Sequence, residues 1–433
     1  MESPLPDPVR TREMALPRRR GVVAVCIGNA IEWFDWSLYA VLAPVFATTF
    51  FSPDDPYSAL LSTFGVFMVG FLARPVGGFL FGVLADRRGR RVSLAATMLL
   101  TGLGSCVIAL APTYEQVGLG ASIALVAGRV VQGLGFGGEA PASYAYIAEL
   151  APRARRGLWS SGTGVGIAAG SLAATLLGLL FSLALTPDQV ATWGWRAAFL
   201  LAGGIGLYAV YLRRRLAESA QFLAAHADGG EDRPVAVLQV LRAHRTRVLQ
   251  VLGIATGAVA VFYYWIAFVP AYAVSAMHHP AAQVQLGGVV AQLTLIAALP
   301  IAGMLSDRLG RKRMAYVMGS GFILLAFPLD ALVRQGGWQF VLAVVVAALL
   351  ISCTLGPFGA MLVEQFPAAV RGTAIAVPYT IATTVAGAVP YVGTWLTGVG
   401  AHDVLVVIVT GLVALTLAAY AALPETARSE LQV

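Results

Sequence analysis

Twelve apolar windows near or above 18 residues recur along the chain, and nothing in the sequence constrains its fold more. About 20 consecutive apolar residues cross a bilayer as a helix, since a helix satisfies its own backbone N–H and C=O groups where water is absent. The windows fall at roughly 21–47, 59–84, 92–112, 117–146, 158–185 and 195–212. A second set follows at roughly 248–274, 283–304, 313–333, 338–362, 372–398 and 404–423. They are numbered here as spans 1 to 12. Only 12% of the 433 residues are charged, against about 25% in soluble domains, so the chain reads as an all-α, multi-pass membrane protein.

An even number of spans leaves both termini on one face. Of the 29 Lys and Arg residues, 25 lie in the tails and loops of that face, which the positive-inside rule makes cytoplasmic. The net charge of +7 is therefore a topology signal, and no nucleic-acid partner is expected. Arg18, Arg19 and Arg20 precede an apolar run, but Glu32 breaks that run, so no cleaved secretory signal is expected. With 28 Arg to a single Lys and abundant Ala, the composition points to a high-GC bacterial genome and hence to the cytoplasmic (inner) membrane. Cys26, Cys106 and Cys353 fall inside apolar runs, so neither disulfides nor a metal site is expected. No HExxH and no Ser/His/Asp set occurs, which argues against an enzyme.

The chain repeats itself. GVLADRRGRR at 82–91 returns as GMLSDRLGRK at 303–312, and ELAPRARRG at 149–157 returns as EQFPAAVRG at 364–372. Each pair occupies matching loops of two six-span units, and such parallel repeats with a site between them are a transporter architecture. The expected division is a basic tail (1–20), a first six-helix bundle (21–212), a central cytoplasmic loop (213–247), a second bundle (248–424) and a short tail (425–433).

The 82–91 motif and its copy resemble the signature of the major facilitator superfamily. Within it, GNAIEWFDWSLY, FLARPVGGFLFGVLADRRGRR, GRVVQGLGFGGE and WGWRAAFLL resemble the metabolite:proton symporters, which include proline/betaine, alpha-ketoglutarate, citrate and shikimate permeases. The resemblance implies a twelve-helix bundle of two pseudo-symmetric halves and alternating access driven by the proton gradient, with no cofactor. It also implies a cytoplasmic charge latch built from Gly82, Asp86, Arg87, Gly89, Arg90 and Arg91, their counterparts Gly303, Asp307, Arg308, Gly310, Arg311 and Lys312, and Glu149, Arg156, Glu364 and Arg371. Positive-inside topology explains part of the same charges.

Charges inside the spans are costly, roughly 2.5–3.5 kcal/mol each at a helix centre, and so mark function or a fixed pair. Glu32 and Asp35 share a face of span 1; Arg74 lies in span 2, and Arg129 and Glu139 lie in span 4. The five histidines fall in loops, which leaves carboxylates to carry protons. By resemblance, an acid of span 1 facing an arginine of span 4 couples the proton, here Asp35 first and Glu32 second, with Arg129 as partner. A static ion pair is the alternative for each, and Glu139 serves either coupling or helix packing. Arg74 offers a guanidinium fork to a substrate carboxylate or neutralises an acid. Tyr39, Tyr144, Tyr264, Trp265, Gln292 and Tyr379 are further substrate-facing candidates, though aromatic residues in spans also serve packing.

GLGFGG at 133–138 matches a dinucleotide motif in letters only, with no strand before it; its spacing suits close helix approach instead. Span 5 lacks the Gly-Pro motif common in exporters of the superfamily, which favours uptake. The expected function is proton-coupled symport of a small carboxylate-bearing metabolite, an organic anion or zwitterion, by a monomer. A proline/betaine-type osmolyte symporter is the first alternative, weakened by the absence of a long C-terminal coiled coil; a proton-coupled exporter is the second.

Overall fold

The computed structural model describes residues 8–52, 56–88, 90–137, 139–213, 237–367, 371–427 and 429. Among them the chain is helical, with no strand. Span 1 runs Pro8–Val41 and continues as Ala43–Phe50, span 2 is Pro56–Arg88, and span 3 is Arg90–Leu110. Span 4 is Leu119–Phe136 with Glu139–Leu150, span 5 is Arg156–Ala184, and span 6 is Trp195–Arg213. Span 7 joins Arg245–Tyr263, a π-helical turn Tyr264–Phe268 and Val269–Ser275. Spans 8 and 9 are Ala281–Leu309 and Arg311–Gln335; span 10 is Gly337–Leu355 with Phe358–Val363. Span 11 is Arg371–Gly387 with Val389–Gly398, and span 12 is His402–Ala421.

Among the described residues, nine of these are long and apolar enough to cross a membrane. Span 3 falls short because its described apolar part, Ala95–Leu110, is brief. Phe79, Leu110, Leu119 and Leu324 point their side chains outward, where lipid replaces water as the solvent.

Spans 1 and 5, 3 and 6, 3 and 4, and 2 and 4 pack within the first half; spans 7 and 11, 8 and 10, 7 and 12, and 9 and 10 pack within the second. Spans 5 and 8, and spans 2 and 11, join the halves. Lipid tails are as apolar as Leu, so helices in a bilayer associate through close packing, which small residues permit. Gly133 and Gly137 of span 4 lie against the Gly70 and Arg74 carbonyls of span 2, while Gly166 and Gly170 of span 5 lie against the Cys26 and Ala30 carbonyls of span 1. A Gly133→Ala methyl would meet the Gly70 carbonyl directly. We expect it to push spans 2 and 4 apart and cost about 1–3 kcal/mol. A thermal melt of the purified protein checks this, and an unchanged midpoint contradicts it.

Span 7 changes from α- to π-helix for a local reason. Pro270 lacks the N–H that would bond back one turn and its ring crowds that carbonyl, and the π-helical turn takes up the extra room.

Candidate functional site

Three arrangements of polar and aromatic side chains stand out, one inside the first half and two between the halves. The first is built on span 1, where Glu32, Asp35, Trp36 and Tyr39 recur at helical spacing and all lie buried. Asp35 accepts from Ser105 Oγ of span 3 at 2.6 Å on one oxygen and from Gln132 Nε2 of span 4 at 2.8 Å on the other. Gln132 in turn accepts from Arg129 Nη1 at 2.9 Å. The expected direct pair of Asp35 and Arg129 is therefore bridged by the Gln132 amide, one helical turn along span 4 from the arginine.

Arg129 is 0% exposed, and its Nε and Nη2 have no hydrogen-bond partner among the described residues. Its guanidinium instead lies 3.9 Å from the Trp36 ring centre and 4.3 Å from that of Tyr39. Arg74 stands 4.1 Å from the same Trp36 ring and 4.3 Å from Phe71, again with Nε and Nη2 unpartnered among the described residues. Aromatic faces carry negative potential, so Trp36 tempers two buried cations while leaving Nε and Nη2 of each without a hydrogen-bond partner among the described residues. Glu32 and Asp35 also line a narrow cavity inside the first half, with Thr101, Ser105 and Gly206. Glu32 lies within electrostatic reach of Tyr144, Tyr263 and Tyr379.

The second arrangement is a narrow cavity between the halves. Trp33, Tyr144 and Ile167 of the first half face Phe262, Tyr263, Thr354, Phe358 and Tyr379 of the second. Trp33 meets Phe262 edge-on at 5.3 Å and stacks on Tyr263 at 6.2 Å, and the Tyr144 and Tyr379 hydroxyls lie 3.4 Å apart. Among the described residues no charged side chain lines it. Tyr144 and Tyr379 are thus brought to the cleft as candidates, whereas the others lie elsewhere. Tyr39 donates to the Thr63 carbonyl at 2.9 Å beneath Arg129, Tyr264 turns to Asp330 at 3.5 Å, and Trp265 packs on Tyr264. Gln292 is buried without lining the cavity. Arg74 sits just beyond the lining, behind Phe71, whose ring meets Tyr263 at 5.0 Å.

The third arrangement ties the halves at the end that carries the repeated loop motifs. Glu364 of the second half accepts from Arg156 of span 5 at 2.8 Å, from Arg311 at 3.2 Å and from the Thr426 hydroxyl at 2.7 Å. Asp307 accepts the Gly157 and Leu158 amides at 2.8 and 2.9 Å, capping the N-terminus of span 5, and also pairs with Arg311 at 2.8 Å. Gly157 and Gly303 lie carbonyl-to-backbone, which lets spans 5 and 8 close on each other. Arg371 bonds the Phe366 carbonyl at 3.3 Å, Gly310 turns the chain at φ 107°, and Arg308 is exposed. Lys312 Nζ holds the Ala421 and Leu423 carbonyls. Gly89 lies outside the described residues, as do the side chains of Asp86, Arg87, Arg90, Arg91, Glu139 and Glu149 and the surroundings of Gly82.

Several participants are not visible in the sequence. Gln132 and Ser105 look like ordinary polar span residues, and Trp33, Phe262 and Phe358 like ordinary packing. Glu425 accepts the Arg311 and Lys312 amides at 2.8 and 3.1 Å, so the tail after span 12 joins this cluster. Burial alone would raise its carboxyl, yet the amides of Arg311, Ala427, Lys312 and Thr426 outweigh that and hold it below the ordinary carboxylate range. Its contribution is thus present at neutral pH and fades as pH falls through the lowered value. Arg196, at the mouth of span 6, ties down the last carbonyls of span 3 at Ala109 and Ala111.

The chain matches the Major Facilitator Superfamily over residues 25–329 and again over 254–432. It is 28% identical over 411 residues to the proline/betaine transporter of Salmonella typhimurium, covering 91% of this chain and 82% of that one. It is 30% identical over 389 residues to the glycine betaine/proline/ectoine/pipecolic acid transporter OusA of Dickeya dadantii, covering 87% and 77%. In fold it is similar to the xylose transporter XylE from E. coli in a partially occluded inward open conformation, with a TM-score of 0.75 at 19% identity, covering 94% and 97%. The two-halved helical bundle, the paired loop motifs and these relatives agree: the chain is a multi-pass bacterial inner-membrane transporter, not an enzyme, and it belongs to the major facilitator superfamily.

Proposed function

We propose that the protein is a proton-coupled symporter of a small zwitterion that carries a carboxylate and a substituted ammonium, of the proline or betaine kind. The observation that carries this reading is the cavity between the halves, walled by Trp33, Tyr144, Phe262, Tyr263, Phe358 and Tyr379 and free of charged side chains among the described residues. A ring-lined space suits a bulky cation that needs no carboxylate partner, through cation–π attraction. Arg74, with two unused N–H donors next to Tyr263, supports binding of the carboxylate end. The substrates for which the Salmonella and Dickeya relatives are named have this chemistry, which supports the osmolyte reading over a general organic acid. An organic anion is the second reading, supported by Arg74 alone.

Coupling is assigned to Asp35, with the proton gradient as driving force and no further cofactor. Ser105 Oγ lies 2.6 Å from Asp35 and 3.0 Å from the Thr101 carbonyl, and it has one proton to give. When Asp35 is ionised the hydroxyl points to it; when Asp35 is protonated the carboxyl donates and the hydroxyl turns to Thr101. Gain and loss of a proton then need a hydroxyl rotation and no movement of heavy atoms. Gln132 carries the change to Arg129 and so to Trp36, which Arg74 shares.

Titration of the purified protein with glycine betaine, proline and succinate tests the substrate class. We expect binding of the zwitterions and none of succinate. Trp33→Ala should weaken betaine binding about tenfold, the scale of a desolvated cation–π contact, and leave the fold intact. Succinate binding with betaine silent would return the anion reading.

A further inference from the structure

We propose that His402 and Asp330 form a second proton-binding site, at the end of the bundle opposite the latch, which holds the terminal part of span 7 in place when it is occupied. His402 opens span 12 and is buried, although the sequence places it in a loop. Its Nε2 lies 2.8 Å from Asp330 Oδ1 of span 9, and its Nδ1 lies 3.2 Å from Thr397 Oγ1 of span 11. Thr397 gives its single hydroxyl proton to the Gly393 carbonyl at 2.8 Å. Both ring nitrogens therefore face acceptors, and an imidazole donates from both only when it carries two protons. A neutral ring must surrender one bond or make Thr397 abandon Gly393. An imidazolium satisfies both contacts at once while Thr397 keeps its bond to Gly393.

The surrounding charges fit that state. Asp330 lies between His402 and Arg334, whose Nε is 2.8 Å from Oδ2, and Arg334 also reaches Asp403 of span 12 at 2.7 Å. Span 7 presents two tyrosines. Tyr264 lies 3.5 Å from Asp330, and Tyr272 stacks on the His402 ring at 4.5 Å and 15°. From span 11 the polar contact is Thr397, and His279 is engaged nearby with the Val333 carbonyl at 3.0 Å.

The stack continues along span 7 from Tyr272 to Phe268 and from Phe268 to Tyr264, the neighbour of cavity-lining Tyr263. Imidazolium on an aromatic face is a cation–π contact, so the proton binds His402 both to Asp330 and to this ladder. The segment it holds, Val269–Ser275, also packs against Ala43–Phe50 of the first half. Loss of the proton loosens that segment from spans 9 and 12 at the seam between halves. This site is distinct from Asp35 and does not depend on which substrate is carried.

Hydrogen–deuterium exchange of the full chain in lipid nanodiscs tests it without any substrate. Rates over 269–277 would be compared on the two sides of the histidine titration range, about pH 5 and about pH 8, after correction for intrinsic exchange. In the wild type we expect about tenfold faster opening at the alkaline end. His402→Gln, which can donate to Asp330 at either pH, should lose the step; Asp330→Asn should exchange fast at both. A step that persists in His402→Gln, or no step in the wild type, overturns the proposal. Should His402→Gln fail to purify as a monodisperse protein, Thr397→Val decides. Removing that acceptor should shrink the step, and an undiminished step overturns the site.

Discussion

Asp35→Asn should abolish concentrative uptake while sparing exchange of labelled for unlabelled substrate. Exchange needs only binding and the rocking of the loaded carrier, and the asparagine side chain keeps the shape and one oxygen that accepts from Ser105 or Gln132. Net uptake against a gradient needs a group that takes the proton on one side and yields it on the other, and an amide cannot. A zwitterion moving with one proton carries one net charge, worth about 2.3 kcal/mol per 100 mV of membrane potential. That corresponds to roughly 50-fold accumulation per 100 mV, all of which the variant should lose. Uptake into proteoliposomes under an imposed potential and pH gradient measures it, with counterflow as the control. Uphill uptake that survives the substitution removes Asp35 from the coupling role and leaves it a structural acid.

The second large effect is expected at the latch. Glu364 is buried and collects Arg156, Arg311 and Thr426, joining the first half, the second half and the C-terminal tail at one carboxylate. Glu364→Ala strands the buried Arg156 guanidinium, and breaking such a pair costs about 3–5 kcal/mol because the remaining charge is uncompensated. Arg311 retains Asp307, so the second half has a fallback, whereas Arg156 loses its one ion-pair partner among the described residues. The loss falls on the state in which this end is closed, so the equilibrium should move toward opening there. Ser160 is buried on the face of span 5 that meets span 8, between Gly157 and Gly164. In a Ser160→Cys background, maleimide labelling should speed up on the order of 100-fold, the factor for roughly 3 kcal/mol. An unchanged labelling rate would mean that the closed end is held by packing of spans 5 and 8 and not by charge.

Hydropathy makes the fold legible because the bilayer demands long apolar helices, and duplicated motifs make the two halves legible because glycines and charges recur at fixed places. Gly157 and Gly303, each within such a motif, meet at the interface. Glu32 and Asp35 are readable as a buried polar face from spacing alone. Gln132 is not, since its role arises from what spans 1 and 3 place beside it. The cavity wall shows a second limit. Period 3.6 cannot say which of Tyr263, Tyr264 and Trp265 faces the cleft, and in the folded chain it is Tyr263 that lines the cavity. The zwitterion reading gains ground for the same reason: Arg74 is visible in a sequence, while an aromatic cage exists only after folding. His402 reads as a loop residue in the sequence because its burial depends on spans 9 and 11 packing over the start of span 12.

In this mechanism a zwitterion crosses together with a proton carried by Asp35. Internal pH read in proteoliposomes, while glycine betaine or proline is added outside, addresses it most directly. Acidification is expected with the wild-type protein and none with Asp35→Asn, with counterflow retained in both. Uptake by the wild type without acidification would contradict proton symport.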